Sequence, residues 1–357
     1  MIFEKILQEN DVHWMHAEDG PETDIVISSR VRLARNLNKI PFPHLLTEET
    51  GPECMEKIVS TWSNPSIAEI EKFEIKRLNE LSSSERHILV EKHLISPNLA
   101  DMESNYQGLV VNENGSLCVM INEEDHLRIQ CFLPGLQVSE CYNRTERIDD
   151  EAEKYLDYAF DSKRGYLTSC PTNVGTGMRA SVMLHLPAIV MSGQIKAVFY
   201  NLGQLGMTVR GLYGEGTEAV GNFYQLSNQV TIGQSEKDIN INLAIITAQI
   251  VEQERLTRKK LLNDMPYQLE DNIGRAYGIL TNARIITSNE ALIMLSSLRL
   301  GVDLGIIKGI QPFTLNELMV AIRPAHLQKK AGQEMDPLQR DEYRARIIKR
   351  QLMNEIS

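Results

Sequence analysis

The 357-residue chain is expected to fold as an α+β domain, with a central antiparallel sheet flanked by helices, followed by a small all-α C-terminal domain. Three observations lead there. Short apolar segments separated by turn signals fill the middle of the chain and pair locally, with helical stretches between them. Helix-start signals recur after Ser235. A content of 42% hydrophobic and 24% charged residues supports a packed core, and the length suits two domains.

Taken in order, Asp24–Ser28 reads as a short strand. Leu109–Val111, the Asn114-Gly115 turn and Leu117–Ile121 form a hairpin signature, because Asn-Gly supplies the positive φ angles of a type I′ turn. Leu127–Phe132 alternates apolar and polar residues and adds a third strand. Asp149–Ser162 and Ala180–Ser192 read as helices, Met207–Arg210 as a strand, and Phe223–Ile232 as a hairpin around Ser227-Asn228. From Ser235 the pattern is helix after helix. Ser235–Asp238 resembles a capping box opening a helix that reaches about Leu262, Thr287–Glu290 and Thr314–Glu317 are clearer boxes, and Asp336-Pro337 places proline at a first helical position. The expected division is 1–257, with a core over 24–254, and 258–357.

A net charge of -11 has the wrong sign for a chain held to nucleic acid by bulk electrostatics, so direct nucleic-acid binding is not expected. The longest near-apolar runs, Leu243–Val251 and Leu184–Met191, fall short of the roughly 20 residues of a membrane helix. Glu4, Lys5 and Glu9 interrupt the N-terminal apolar residues, unlike a secretory signal, and a cytoplasmic location is expected. Cys54, Cys118, Cys131, Cys141 and Cys170 contain no CxxC pair, which disfavours a disulfide framework or a structural zinc. Phosphate-loop, protein-kinase, GxSxG and HExxH strings are absent from the sequence.

Arginine is the residue in an unusual place. Arg30 and Arg32 are two apart in Ser29-Arg-Val-Arg32, so in an extended segment both guanidinium groups leave the same face. Arg128, Arg179 and Arg210 also sit among apolar residues or turns. Each alone reads as well as a solvated or salt-bridged surface group; converging, they would clamp a polyphosphate. Glu123, Glu124 and Asp125, adjacent at a strand end, repel one another unless they meet a divalent metal or a cationic substrate. Glu215 sits in a glycine-rich loop, and Cys170 opens the turn-rich Cys170-Pro-Thr-Asn-Val-Gly-Thr176.

Together Ser29-Arg-Val-Arg32, Asn122-Glu-Glu-Asp-His-Leu-Arg128, Cys170–Thr176 with Arg179, and Val209-Arg-Gly with Gly214-Glu215 resemble the catalytic domain of the phosphagen (ATP:guanido) kinases. The resemblance implies a phosphagen-kinase/glutamine-synthetase-like fold and a phosphotransferase using ATP and Mg2+. It implies that Arg30, Arg32, Arg128, Arg179 and Arg210 hold the ATP phosphates and that His93 stacks near adenine. It further implies that Glu123 and Asp125 contact magnesium through water, that Glu124 and Glu215 grip the target guanidinium, and that Cys170 lies beside it. Met183 stands where the family has a second adenine-side histidine.

Phosphagen kinases carry an N-terminal helical lid of about a hundred residues, whereas only 23 residues precede Asp24 here, so a lid is not expected. The layout is similar to the bacterial protein arginine kinases of this family. That likeness implies protein substrates with accessible arginines, among them a heat-shock transcriptional repressor. A zinc-containing activator protein, a Clp chaperone ATPase, a homodimer, and an allosteric phosphoarginine pocket at Arg340, Asp341 and Arg344 are also implied. The alternatives are a kinase of a free guanidino metabolite and a non-catalytic stress-response adaptor.

Overall fold

The computed structural model describes residues 1–211 and 220–356. Its strands are β1 (Val26–Arg35), β2 (Phe73–Arg77), β3 (Gly108–Asn112), β4 (Leu117–Ile121), β5 (Leu127–Pro134), β6 (Phe160–Asp161), β7 (Gly165–Tyr166), β8 (Met178–His185), β9 (Met207–Gly211) and β10 (Phe223–Asn228). Among the described residues, eight of them form one antiparallel sheet in the order β2-β3-β4-β5-β1-β8-β10-β9, and β6 and β7 pair separately. The helices are α1 (Ile2–Gln8), α2 (Thr50–Trp62), α3 (Pro65–Ile70), α4 (Ser83–Glu91), α5 (Pro97–Ala100), α6 (Val138–Glu153), α7 (Pro187–Met191) and α8 (Ile195–Gln204). The rest, α9 (Glu236–Asp264), α10 (Pro266–Asn282), α11 (Ser288–Asp303), α12 (Pro312–Ala321), α13 (Pro324–Ala331) and α14 (Pro337–Ile356), are the expected helical tail. Among the described residues no helix is long and apolar enough to cross a membrane.

Strand alternation splits the core in two. Val31, Leu33, Ile129, Cys131, Ala180 and Val182 belong to a cluster that also takes in residues of α6 and α9. Met120, Phe132 and Phe223 belong to another, built with α1, α4 and the helices from α10 onward. The N-terminal helix and the C-terminal helices thus share one apolar core with the sheet. Each fully buried Ile, Leu or Phe there contributes about 1.5–3 kcal/mol.

Several expectations need correction. The segment read as a helix over 180–192 is strand β8 followed by the short α7. Met178, Ala180, Val182 and Leu184 are all buried in one cluster while the residues between them face the other way, a period of two that Ala, Met and Leu disguise because they also suit helices. The helix read at 149–162 begins earlier and ends at Glu153, presenting Cys141, Tyr142, Thr145, Ile148, Asp149 and Ala152 inward at helical spacing. Phe223–Ile232 is not a hairpin. Asn228 ends β10 by turning its side chain back, accepting from Ala180 N at 2.8 Å and donating to Met178 O at 3.2 Å and Val230 O at 3.1 Å.

The β3–β4 hairpin forms where expected, but its turn is not type I′: Gly115 alone has positive φ (71°), and the Asn112 side chain closes the loop by accepting from Leu117 N. Ser235 makes a full reciprocal capping box with Asp238. Thr314 caps nothing. The helix there starts at Pro312, and the Thr314 hydroxyl donates to Glu355 at 2.9 Å.

Candidate active site

One sheet face opens into a cleft of about 280 Å3 whose floor is written in the register. Arg32 stands opposite Gln130 of β5 and Arg179 of β8, Arg30 opposite Phe132 and Ser181, Arg128 opposite Met120, and Gln225 opposite Arg210. All of these residues line the cleft, with His93 at its edge. The five arginines selected from the sequence, drawn from four different strands, therefore meet in one place, with His93 beside them.

The electrostatics of the cleft are dominated by crowded positive charge. Burial, then repulsion from Arg128, pushes the Arg30 pKa down to about 10. Burial and the neighbouring Arg30, Arg128 and Arg179 push Arg32 well below its usual value, and Arg32 Nε is buried without a hydrogen-bond partner. Guanidinium groups do not give up their proton under ordinary conditions, so these shifts record the cost of desolvated and crowded positive charge, which a polyanion would offset. Burial works against Arg128 too, but Glu123 outweighs it, and its pKa is raised. Arg30 is steadied by Gln225 Oε1 at 3.2 Å and by the Phe132 ring, 5.6 Å from the guanidinium carbon to the ring centroid. Burial, then the Arg30 charge, pushes His93 down to about 3, leaving a neutral ring. That ring lies edge-on to Trp14, 5.8 Å between centroids.

The acidic string occupies the β4–β5 turn. Asn122 is left-handed there (φ 54°). Glu123 accepts from Ser96 Oγ at 2.6 Å and Arg128 Nη1 at 2.7 Å, and these partners outweigh burial and lower its pKa. Glu124 is exposed and outside the cleft lining, and partial burial followed by Asp125 raises its pKa. Asp125 is 2% exposed; its Oδ1 accepts from Asn36 Nδ2 at 2.6 Å and Ser169 N at 2.7 Å, and burial raises its pKa. Cys170 follows Ser169 directly, with Sγ 3.0 Å from Thr172 Oγ1. The Cys170–Thr176 turn is held from behind by Thr231, whose hydroxyl donates to Thr172 O and Val174 O. Gly175 (φ 113°) has to be glycine, since a Cβ there would meet Thr231 O at 2.4 Å. Glu215 lies outside the described residues.

Of the C-terminal trio, Arg344 is buried, while Arg340 and Asp341 are half-buried. Arg344 is 2% exposed, donates to Ile322 O and Ile286 O at 2.9 Å, and pairs with Asp341, while Arg340 donates to Met335 O at 2.9 Å. Burial, partly offset by Asp341, lowers the Arg344 pKa. Three site-building residues escaped sequence reading. Ser96 carried a legible sign, an N-cap before Pro97. Asn36 carried none. Nor did Glu91, a cleft-lining residue that accepts from Ala325 N, His326 N and His326 Nδ1 at the start of α13.

Residues 53–257 match the family described as ATP:guanido phosphotransferase, C-terminal catalytic domain. The chain belongs to that family. Residues 266–356 match a second description, the protein-arginine kinase McsB C-terminal domain. A protein-arginine kinase of Syntrophomonas wolfei is 61% identical over 99% of this chain and 98% of its own length. Among solved structures, the duplicated taurocyamine kinase of Schistosoma mansoni with bound transition-state analogue components superposes with a TM-score of 0.59 at 26% identity, over 76% of this chain and 39% of that one. A lombricine kinase superposes at 0.58 with 21% identity over 71% and 76% of the two chains, a likeness of fold. The ATP:guanido phosphotransferase fold accounts for the antiparallel sheet with its flanking helices.

Proposed function

We propose that the chain is an ATP- and magnesium-dependent protein arginine kinase, moving the γ-phosphoryl of ATP to arginine guanidinium groups of protein substrates. The observation that carries this reading is the crowd of mutually repelling arginines in one cleft, next to a turn of three carboxylates. The family match and the full-length similarity to protein-arginine kinases support the acceptor.

In this reading Arg30, Arg32, Arg128, Arg179 and Arg210 hold the phosphates and His93 flanks the base. Glu124, with Glu215, orients the acceptor guanidinium. Its terminal nitrogen bonds to the γ-phosphorus as the bond to the β–γ bridging oxygen breaks, ADP leaves, and the guanidinium proton passes to a carboxylate. Cys170 lies beside the acceptor. Burial, joined at Glu124 by the Asp125 charge, raises the pKa of Glu124 and Asp125, a cost to their negative charge that a divalent cation nearby would offset. Glu123 already has both oxygens engaged, so it and Asp125 would hold magnesium through its waters. Bound there, magnesium would neutralise charge on the phosphates.

A cytoplasmic location and a homodimer follow from the same reading. So do hand-over of the marked proteins to a Clp chaperone ATPase, a heat-shock repressor among the targets, an assisting zinc-containing activator, and phosphoarginine binding near Arg340, Asp341 and Arg344. The test offers the full chain ATP and magnesium with either unfolded casein or free arginine. Acid-labile phosphate on casein alone supports the proposal; phosphate on free arginine alone favours a metabolite kinase, and none on either favours an adaptor.

A further inference from the structure

Asn36 lies just past the end of β1, 1% exposed, and every polar atom of its side chain is engaged. Its Nδ2 donates to Asp125 Oδ1 at 2.6 Å and to Leu167 O at 3.0 Å, while its Oδ1 accepts from His126 N at 2.9 Å. Its backbone carbonyl accepts from Ala159 N at 2.7 Å. The Asp125 oxygen that it contacts also accepts from Ser169 N, the residue before Cys170. One amide thus joins two loops distant in sequence, the acidic turn after β4 and the segment leading into the Cys170 turn.

We infer that Asn36 is a positioning residue that fixes the spacing between Glu124 and Cys170, the two groups assigned to the acceptor guanidinium. The inference rests on that assignment. Without the amide, Asp125 and Leu167 O lose their shared donor, and the direct Ser169 N to Asp125 Oδ1 bond is left to hold the two loops in register without that second tie. Only an amide fits, because the position calls for two N–H donors and one acceptor within a single short side chain. Serine supplies one donor. Aspartate supplies none and faces Asp125 with a second carboxylate. Asn36 is not among the residues lining the arginine cleft, so binding of nucleotide without magnesium, through the arginines alone, should not depend on it.

The test uses the full chain with Asn36→Ala and Asn36→Asp, the latter keeping the volume and the acceptor for His126 N. Asn316→Ala is the control: this buried asparagine, bonded to Arg299 and to Met15 O, lies outside the cleft lining. Turnover on unfolded casein, calorimetric affinity for ADP without magnesium, and melting temperature are measured for each. Displacing the acceptor by a fraction of an ångström should lower kcat about 100-fold in both Asn36 variants. ADP affinity should stay within roughly threefold, and Asn316→Ala should lose as much thermal stability while keeping kcat within about twofold. Wild-type kcat in either Asn36 variant overturns the inference, as does a matching kcat loss in Asn316→Ala or a parallel loss of ADP affinity. Glu124→Gln separates the two levels. If it is inactive while Asn36→Ala turns over normally, the positioning role alone fails; if it keeps wild-type turnover, the carboxylate assignment beneath it fails as well.

Discussion

Arg32 and Arg35 are three residues apart on one strand, Arg35 buried and Arg32 half-buried on the cleft floor, and their surroundings are opposite. Arg35 is 1% exposed and saturated: Asp149 at 2.6 Å, Glu236 at 3.2 Å, the carbonyls of Ala34 and Thr176, and the Tyr166 ring 3.5 Å below it. Burial disfavours its charge, Asp149 and Glu236 outweigh burial, and its pKa is raised. Arg32 faces Arg30, Arg128 and Arg179, and its pKa is lowered. Arg344 stands between them: it pairs with Asp341 and donates to two carbonyls, as Arg35 pairs with its acids, but burial leaves its pKa lowered, as in Arg32. A buried arginine is ordinary structure when anions surround it; it marks a binding site when other cations do.

The sharpest way to break this contrast is to remove each arginine in turn. Arg35→Ala leaves Asp149 and Glu236 without their cation and should cost about 3–5 kcal/mol of stability, read by denaturant unfolding. Arg32→Ala should leave stability unchanged or raise it, while lowering kcat/KM for protein phosphorylation on the order of 100- to 1000-fold. If both variants lose stability equally, the contrast is lost. A smaller effect comes from the ligand side: ADP with magnesium at a hundred times its Kd should add about 2.7 kcal/mol of stability, and Arg32→Ala should abolish the gain.

Acid should weaken the helical junction. His185 is fully buried, bonded through Nε2 to Ser296 Oγ at 2.8 Å, and burial then Arg258 and Arg299 push its pKa well below the usual 6.5. The unfolded chain therefore takes up its proton first, so this contribution is complete above pH 6.5 and shrinks as pH falls below it. Melting temperature followed from pH 7.5 to 5 should decline, and His185→Gln should flatten the slope. The smallest effect is expected at the caps. Ser235→Ala should cost about 1 kcal/mol, and Thr314→Ala less, since Thr314 holds no helix end.

The arginine floor was legible because strand alternation is local: two residues apart means the same face. The identity of the acidic turn and the Cys170 turn was legible for the same reason, as contiguous strings. Strand β8 was not, because Ala180, Val182 and Leu184 declare a period of two only once β1 and β10 lie beside them. Thr314-Leu-Asn-Glu317 has the form of a capping box, but Pro312 two residues earlier sets the helix start. Asn36 was invisible, since its partners lie 89 and 131 residues away, and so was Glu91, which caps a helix 234 residues downstream. What the chain writes locally can be read locally, and what two distant loops write together needs the fold.

The most direct measurement is a crystal structure of the chain with a non-hydrolysable ATP analogue, magnesium and an arginine-containing peptide. The β- and γ-phosphates should lie among Arg30, Arg32, Arg128 and Arg179, with the peptide guanidinium at Glu124 beside Cys170. Phosphates bound elsewhere, with the arginine floor left facing solvent, would contradict the account.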